Sequence, residues 1–401
     1  MQMRTKENMS FGAAGFVTFA INSIFINFSV SFFEKAGYSE TQIGFMLAVT
    51  VLVAMAAQVA TGYLSDNVLS IKKILLIDIV LTMVSVLLMR PAVHSYPVLF
   101  LLYTVFSLSG RMVTQLIDGY ITRVAQRRSG LDFGFTRGIS SCGYATAAVI
   151  GGMLINQFDM DMMFWMHTVL CVIALAVIWP LEDVPLIKRS DDDAGKAKGD
   201  SFFVAAKAVF ATPGFLLTTI ACLLMQSGIY VVLTYYPLIV EKVGGTPGDV
   251  GIGMFLLAIS EVPVLWNYHR LKRRFQNGHM MIFAMLMYVL KSALWIMFQN
   301  VAGVVVIQVM QSVTYALFLP AAMRFMQEIL PERHITTGLM IWLAIYSSGG
   351  QIVGSLAGGF LMENNDSVTP LYIACAAPCL VGAVLMMFAL KRVKTQEPEA
   401  A

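Results

Sequence analysis

Apolar stretches of about twenty residues, the length a helix needs to cross about 30 Å of hydrocarbon, recur twelve times along this chain. They lie near 11–33, 42–64, 74–92, 97–122, 138–157, 163–181, 209–240, 249–269, 279–298, 302–328, 335–361 and 370–391. The longest polar stretch, "LEDVPLIKRSDDDAGKAKGDS" at 181–201, falls between the sixth and seventh runs. Six spans, a charged linker and six more spans is the layout of transporters built from two parallel halves around a midplane site. The pattern therefore predicts an all-α membrane protein of twelve transmembrane helices, in two six-helix halves around a central cavity. The N-terminal half is expected at 1–181, a linker at 182–208 and the C-terminal half at 209–401.

Composition agrees and narrows the class. Hydrophobic residues make up 58% and charged residues 13%, against the usual quarter charged in a soluble domain. A net charge of +3 is too small to imply nucleic acid. Of the 27 Lys and Arg, only Lys35, Arg90 and Lys242 fall in outside loops, and Arg111, Arg137 and Lys291 fall in or at helices. The rest sit in tails and inside loops, which predicts both termini on the cytoplasmic side of a cell membrane. The N-terminal "MQMRTKENMS" reads as an inside tail rather than a cleaved signal. Cys142, Cys171, Cys222, Cys375 and Cys379 all lie in or beside apolar runs and read as reduced packing residues. The five His residues show no paired metal spacing, no GxxxxGK[ST] loop is present, and no nucleophile–base set stands in the inside loops. No metal, cofactor or enzyme activity is expected.

Six charges inside the spans remain: Asp78, Arg111, Asp118, Arg137, Glu261 and Lys291. Each costs at least about 2.5–3.5 kcal/mol at the bilayer centre, so each must face a partner or water. Arg111, Gln115 and Asp118 recur at spacings of four and three, which places them on one helix face lining a cavity. Arg137 enters span five after a short turn that lets it meet Asp118. Asp78 reads as structural. Neutral polar stripes follow on other spans: Gln226, Tyr230 and Thr234; Gln308, Gln311 and Tyr315; Asn22. Such stripes suit a polar neutral ligand, or glue helices together.

"Gly62-Tyr63-Leu64-Ser65-Asp66" with Lys72 and Lys73 resembles the signature of the major facilitator superfamily between spans two and three. That resemblance implies a gating role for Gly62, Asp66, Lys72 and Lys73, with Asp66 accepting hydrogen bonds from a helix N-terminus in one conformation only. The family's arginine after the Asp is replaced by Asn67. "RRSGLDFGFTRGISSCGYA" at 127–145 is similar to the start of span five in the oligosaccharide–proton symporters, the lactose permease branch. The likeness puts Asp118 in place of the sugar-binding carboxylate, Arg137 in place of the arginine paired with it, and Tyr144 where an aromatic ring stacks on the sugar. Lys291 aligns with an arginine important to proton coupling. The branch's histidine and glutamate of span ten are missing, with Gln311 and Thr314 in their place, so Glu261 is the deep carboxylate left to carry a coupling proton.

The resemblance implies a secondary active transporter that moves a small polar solute, a sugar or glycoside, with protons, by alternating access, as a monomer in the bilayer. The expected substrate-binding set is Asp118, Arg137, Tyr144, Arg111, Gln115, Gln226, Tyr230 and Gln311, with Glu261 and Lys291 coupling the proton. Three alternatives stay open. Asp118–Arg137 and Glu261–Lys291 are each also consistent with a purely structural ion pair, and the chain is also consistent with a drug or metabolite exporter of the same superfamily.

Overall fold

The computed structural model describes residues 2–127, 131–184 and 202–394, apart from the side chains of 2–6, 59, 60, 62, 63, 66, 67, 126, 202, 203 and 394. Among the described residues every regular element is helical. Ten helices are long and apolar enough to span a membrane. Two more complete the twelve: Ile71–Met89, which carries Lys72, Lys73 and Asp78, and the shorter Met162–Ile178. Large apolar side chains such as Trp165, Val172, Leu216 and Phe388 stand exposed on these helices. In lipid such a face costs nothing, whereas in water it would drive association.

Spans one to six are Gln2–Lys35, Glu40–Asn67, Ile71–Met89, Tyr96–Arg127, Phe133–Gln157 and Met162–Ile178. Spans seven to nine are Phe215–Thr234 continued by Tyr236–Lys242, Pro247–Lys272 and Asn277–Met297. Span ten is broken: Val301–Val306 passes into a 3-10 segment, Ile307–Ser312, before Tyr315–Ile329. Span eleven carries a π-helical turn, Ala344–Gly349, between Ile335–Leu343 and Gly350–Glu363. Span twelve is Thr369–Lys394.

Several boundaries differ from the apolar pattern, those of spans two and seven with the clearest physical reason. Span two continues through the expected loop to Asn67, so the tight turn is only residues 68–70. Run seven, expected from 209, begins at Phe215, because the Pro213–Gly214 turn ends a separate helix, Phe202–Ala211. Gly214 has φ +79°, which favours glycine. Residues 202–208, read as linker from their sequence position, are thus helical, while 185–201 lie outside the described residues.

The chain separates into two compact units. The first comprises Met1–Tyr38, Val49–Arg189 and Gly244–Ile259, and the second Ser39–Ala48, Ser190–Val243 and Ser260–Ala401. In the first, span one packs on five and six, and span three on four and six. In the second, span seven packs on eleven and twelve, and span nine on ten and twelve. Adding six to each number of the first set gives the second, which is the relation a parallel repeat produces. The first unit's core joins Phe11, Ile79, Val113, Ile117, Tyr120 and Cys171. Span one approaches span five so closely that a Cβ on Gly143 would sit 2.1 Å from the Phe16 carbonyl oxygen. That contact fixes the height of Arg137 and Tyr144 against span one.

Candidate functional site

Two polar clusters stand out, one in each unit. The first begins with the cap of span five, where the Asp132 side chain accepts from the Phe135 backbone N–H at 3.0 Å. The cap starts the helix so that Arg137 falls in its second turn and reaches span four. Arg137 Nε lies 3.3 Å from Asp118 Oδ2, its guanidinium donates to Ser141 Oγ at 2.8 Å, and its Cζ stands 4.4 Å from the Phe19 ring centre. Stacking on a buried ring and a hydroxyl one turn away hold the guanidinium in one orientation.

The pair is not closed. The two side chains retain 39% and 29% of their exposure, Arg137 and Asp118 respectively. Asp118 Oδ1 has no hydrogen-bond partner. An ionised carboxylate accepts on both oxygens, and here the oxygen without a partner is the buried one, while the rest of the pair keeps its exposure.

The other expected members of this site are placed differently from one another. Gln115 accepts from the side-chain amide of Gln58 on span two at 2.5 Å. Arg111 lies against the Tyr103 hydroxyl, two turns of helix away from Asp118. The Tyr144 hydroxyl donates to Asn27 at 2.9 Å, its carbonyl accepts from Ser23 at 2.8 Å, and Asn27 donates to Ser23 at 3.1 Å. Tyr144 is therefore fastened to span one by its hydroxyl, and its ring packs against the first unit's core. Phe19, Asn27 and Gln58 were not singled out from sequence. Phe19, Ser23 and Asn27 share a spacing of four on span one, which marked a polar-flanked face without saying what it met.

The residues expected at the gate divide in the same way. The side chain of Asp66 and the surroundings of Gly62 lie outside the described residues. Lys72 donates to the carbonyls of Trp179, at 2.7 Å, and of Leu181, both past the end of span six. Arg123 of span four donates to the Ser65 carbonyl at 3.0 Å and its hydroxyl at 3.3 Å. Both cations bind carbonyls at helix C-terminal ends, where the backbone acceptors are unfilled. Lys73 is exposed.

The second cluster is built on the irregular turn of span ten. With three residues per turn, residues i and i+3 eclipse, so Gln308 and Gln311 project the same way and converge on one atom. Lys291 Nζ donates to Gln308 Oε1 at 3.0 Å and Gln311 Oε1 at 3.3 Å, and lies 4.8 Å from the Trp295 ring centre. Lys291, Gln308 and Gln311 are all buried. Gln311 then donates through Nε2 to Glu261 Oε1 at 3.2 Å. The expected Glu261–Lys291 relation is thus mediated: one amide accepts from the cation and donates to the carboxylate. Pro263 follows Glu261 by two residues inside span eight and removes one backbone donor there.

Gln226 and Tyr230 of span seven belong to the same unit. Tyr315 is within hydrogen-bond reach of Gln226 and Tyr346. Gln226 Oε1 is buried without a partner. Tyr346, inside the π turn, stacks on Trp342 with ring centres 4.3 Å apart. Neither irregular turn was read from the apolar pattern, since apolar length does not encode helix pitch.

Among the described residues no three His, Cys, Asp or Glu side chains converge as metal ligands. All five cysteines are free; Cys142 is exposed, and the other four are buried. His167 is fully buried within span six, beside Phe25, with its Nδ1 3.7 Å from Cys171 Sγ.

Comparison with known proteins places this geometry. A model of the MFS_1 like family matches residues 9–374. The chain is 24% identical over 390 residues to "Maltose permease" of Geobacillus stearothermophilus, covering 96% of this chain and 94% of that protein. It is 24% identical over 398 residues to the "Uncharacterized transporter YwbF" of Bacillus subtilis (strain 168), covering 95% and 94%. Among solved structures it is similar in fold to the nucleoside transporter NupG, with TM-score 0.81, 15% identity and coverage of 96% of this chain and 99% of that one. It is also similar to a D-xylose–proton symporter, with TM-score 0.73, 14% identity and coverage of 97% and 98%.

Proposed function

Because this chain belongs to the MFS_1 like family, and is therefore a multi-pass membrane transporter of the small-solute type rather than an enzyme, we propose that it imports a sugar or glycoside together with protons. The observation that carries this reading is that the directly paired Asp118 and Arg137 side chains keep part of their exposure inside the spans. A polyhydroxylated solute donates to the exposed part of the carboxylate, accepts from the guanidinium, and rests an apolar ring face on Tyr144. The name of the maltose permease relative supports the same class of solute.

In this reading the two halves, 1–181 and 209–401, move alternately around the solute as a monomer in the cytoplasmic membrane. Both termini and the 182–208 linker face the cytoplasm. Gly62, Asp66, Lys72 and Lys73 take part in the gate. Glu261 carries the coupling proton: its carboxylate takes a proton from the outer side and returns it to the inner side once per cycle. Gln311 keeps Lys291 from pairing with Glu261 directly, so neutralising the carboxylate does not strip the lysine of its partners. Gln226 and Tyr230 supply neutral hydrogen-bonding groups from span seven, with Arg111 and Gln115 flanking the pair on span four.

The test is Glu261→Gln in reconstituted vesicles. Uphill sugar accumulation is expected to vanish while sugar exchange across the membrane persists, because exchange requires no net proton release. Retained accumulation moves the coupling site elsewhere.

A further inference from the structure

The turn between spans eight and nine carries a positive charge that neither cluster uses. The run His269-Arg270-Leu271-Lys272-Arg273-Arg274 closes span eight, and Phe275 and Gln276 lead into span nine at Asn277. Arg270, Lys272, Arg273 and Arg274 are all exposed. Among the described residues none of these four makes an ion pair or a side-chain hydrogen bond. The matching turn of the first unit, between spans two and three, differs: there Lys72 is bound to the carbonyls of Trp179 and Leu181.

The cations are interleaved with large apolar side chains. Trp266 is 75% exposed, Leu265 is exposed beside it, and Phe275 is exposed in the turn itself. Trp266 and Arg270, four residues apart, share one helix face, and Leu265, His269 and Lys272 share the neighbouring one. Trp266 stands six residues before the helix end at Lys272, about 9 Å at 1.5 Å per residue. Tryptophan belongs at the membrane–water interface, and long basic side chains just beyond it extend to the headgroups.

The turn is also fastened in place. The backbone N–H groups of Arg274 and Phe275 both donate to the Leu271 carbonyl, at 3.0 and 2.9 Å. The hydroxyl of buried Tyr268 donates to Asn277 Oδ1 at 2.7 Å, and Asn277 Nδ2 donates to Glu328 Oε1 of span ten at 2.5 Å. Glu328 is thereby engaged by an amide rather than by a cation. A turn already fixed loses little freedom when its cations meet an anion. Compensation of the negative helix end accounts for Arg270 and Lys272 in the last turn, whereas Arg273 and Arg274 lie beyond it. Solvation explains exposed charge but not the tryptophan and phenylalanine among it.

We propose that this turn is a binding site for an anionic phospholipid. The phosphate rests among Arg270, Arg273 and Arg274, whose forked donors match its oxygens, and the glycerol and upper acyl carbons lie on Trp266 and Leu265. Cationic clusters at a span end recognise acidic headgroups in this way. The site does not depend on the identity of the solute or on the role given to Glu261.

The experiment is native mass spectrometry on delipidated full-length protein, titrated with phosphatidylglycerol and separately with phosphatidylcholine. Wild type should hold phosphatidylglycerol in preference to phosphatidylcholine. The double change Arg273→Gln with Arg274→Gln should weaken the tightest-held phosphatidylglycerol about thirtyfold, the worth of two cations at an anionic surface, and leave phosphatidylcholine unchanged. Arg273→Lys with Arg274→Lys keeps the charge and should keep most of the affinity. Lys391→Gln with Arg392→Gln removes as much charge from the end of span twelve and should bind as wild type does. Excess inorganic phosphate should not displace the lipid, since it has nothing to lay on Trp266 and Leu265. Equal phosphatidylglycerol binding by wild type and the Arg273→Gln, Arg274→Gln variant overturns the proposal, as does an equal loss in the Lys391→Gln, Arg392→Gln variant or displacement by phosphate alone.

Discussion

The two clusters answer the same problem, charge inside a membrane, in opposite ways. In the first unit Asp118 and Arg137 meet directly and retain part of their exposure. In the second, Lys291 is buried, its donors are met by two amide oxygens and a tryptophan face, and a third residue passes the contact on to Glu261. A direct pair that keeps part of its exposure is adapted to gain a partner. A saturated pair with an amide between the charges is adapted to tolerate a change of protonation at one end. In the proposed function the contrast separates solute binding from proton handling, although both clusters consist of one acid and one base.

The largest effects should come from leaving one charge of the open pair stranded. Asp118→Asn and Arg137→Gln should each weaken sugar binding by at least about tenfold, equal to about 1.4 kcal/mol, and each charged hydrogen bond is worth roughly 1.5–3 kcal/mol. Isothermal titration on the purified variants reads this directly.

Next comes Gln311→Leu, which removes the amide from the closed cluster. Lys291 then loses one of two amide acceptors and Glu261 loses a donor, a desolvation loss of about 1–3 kcal/mol for each buried group left unpaired. Thermal stability should fall and uphill accumulation should fail. Gln311→Glu should instead form a direct ion pair with Lys291, keeping stability but altering the dependence of accumulation on the proton gradient. Equal gradient dependence in Gln311→Glu and wild type would break the contrast drawn above.

The smallest effect concerns Tyr144. Tyr144→Phe removes the bond to Asn27 while keeping the ring, and should cost about 0.5–1.5 kcal/mol of stability with sugar affinity nearly unchanged. Tyr144→Ala should weaken affinity as well. A thermal-shift assay beside titration separates the two quantities.

Much of this architecture was legible without coordinates. Apolar length alone marked all twelve spans, and helical spacing put Arg111, Gln115 and Asp118 on one face. The cost of charge in lipid singled out Asp118, Arg137, Glu261 and Lys291 before any contact was known. Long-range pairing was not legible. Asn27 is 117 residues from Tyr144, Gln58 is 57 from Gln115, and a polar side chain does not announce its partner. Pitch was not legible either. Gln308 and Gln311 form an ordinary i, i+3 stripe until the 3-10 turn of Ile307–Ser312 eclipses them onto Lys291. Span two's continuation to Asn67 was hidden because Ser65 and Asp66 read as loop by composition, while Arg123 supplies a contact that helps hold the helix end.

The central claim is that Asp118 and Arg137 bind the solute rather than merely tie spans four and five together. The double variant Asp118→Asn with Arg137→Gln tests it, because it leaves no orphan charge behind. Titration should use the sugar that gives the largest thermal shift on wild-type protein, measured on the wild type, both single variants and the double variant. Binding by the solute requires the double variant to stay folded yet remain unable to bind; recovery of wild-type affinity in the double variant would contradict the account.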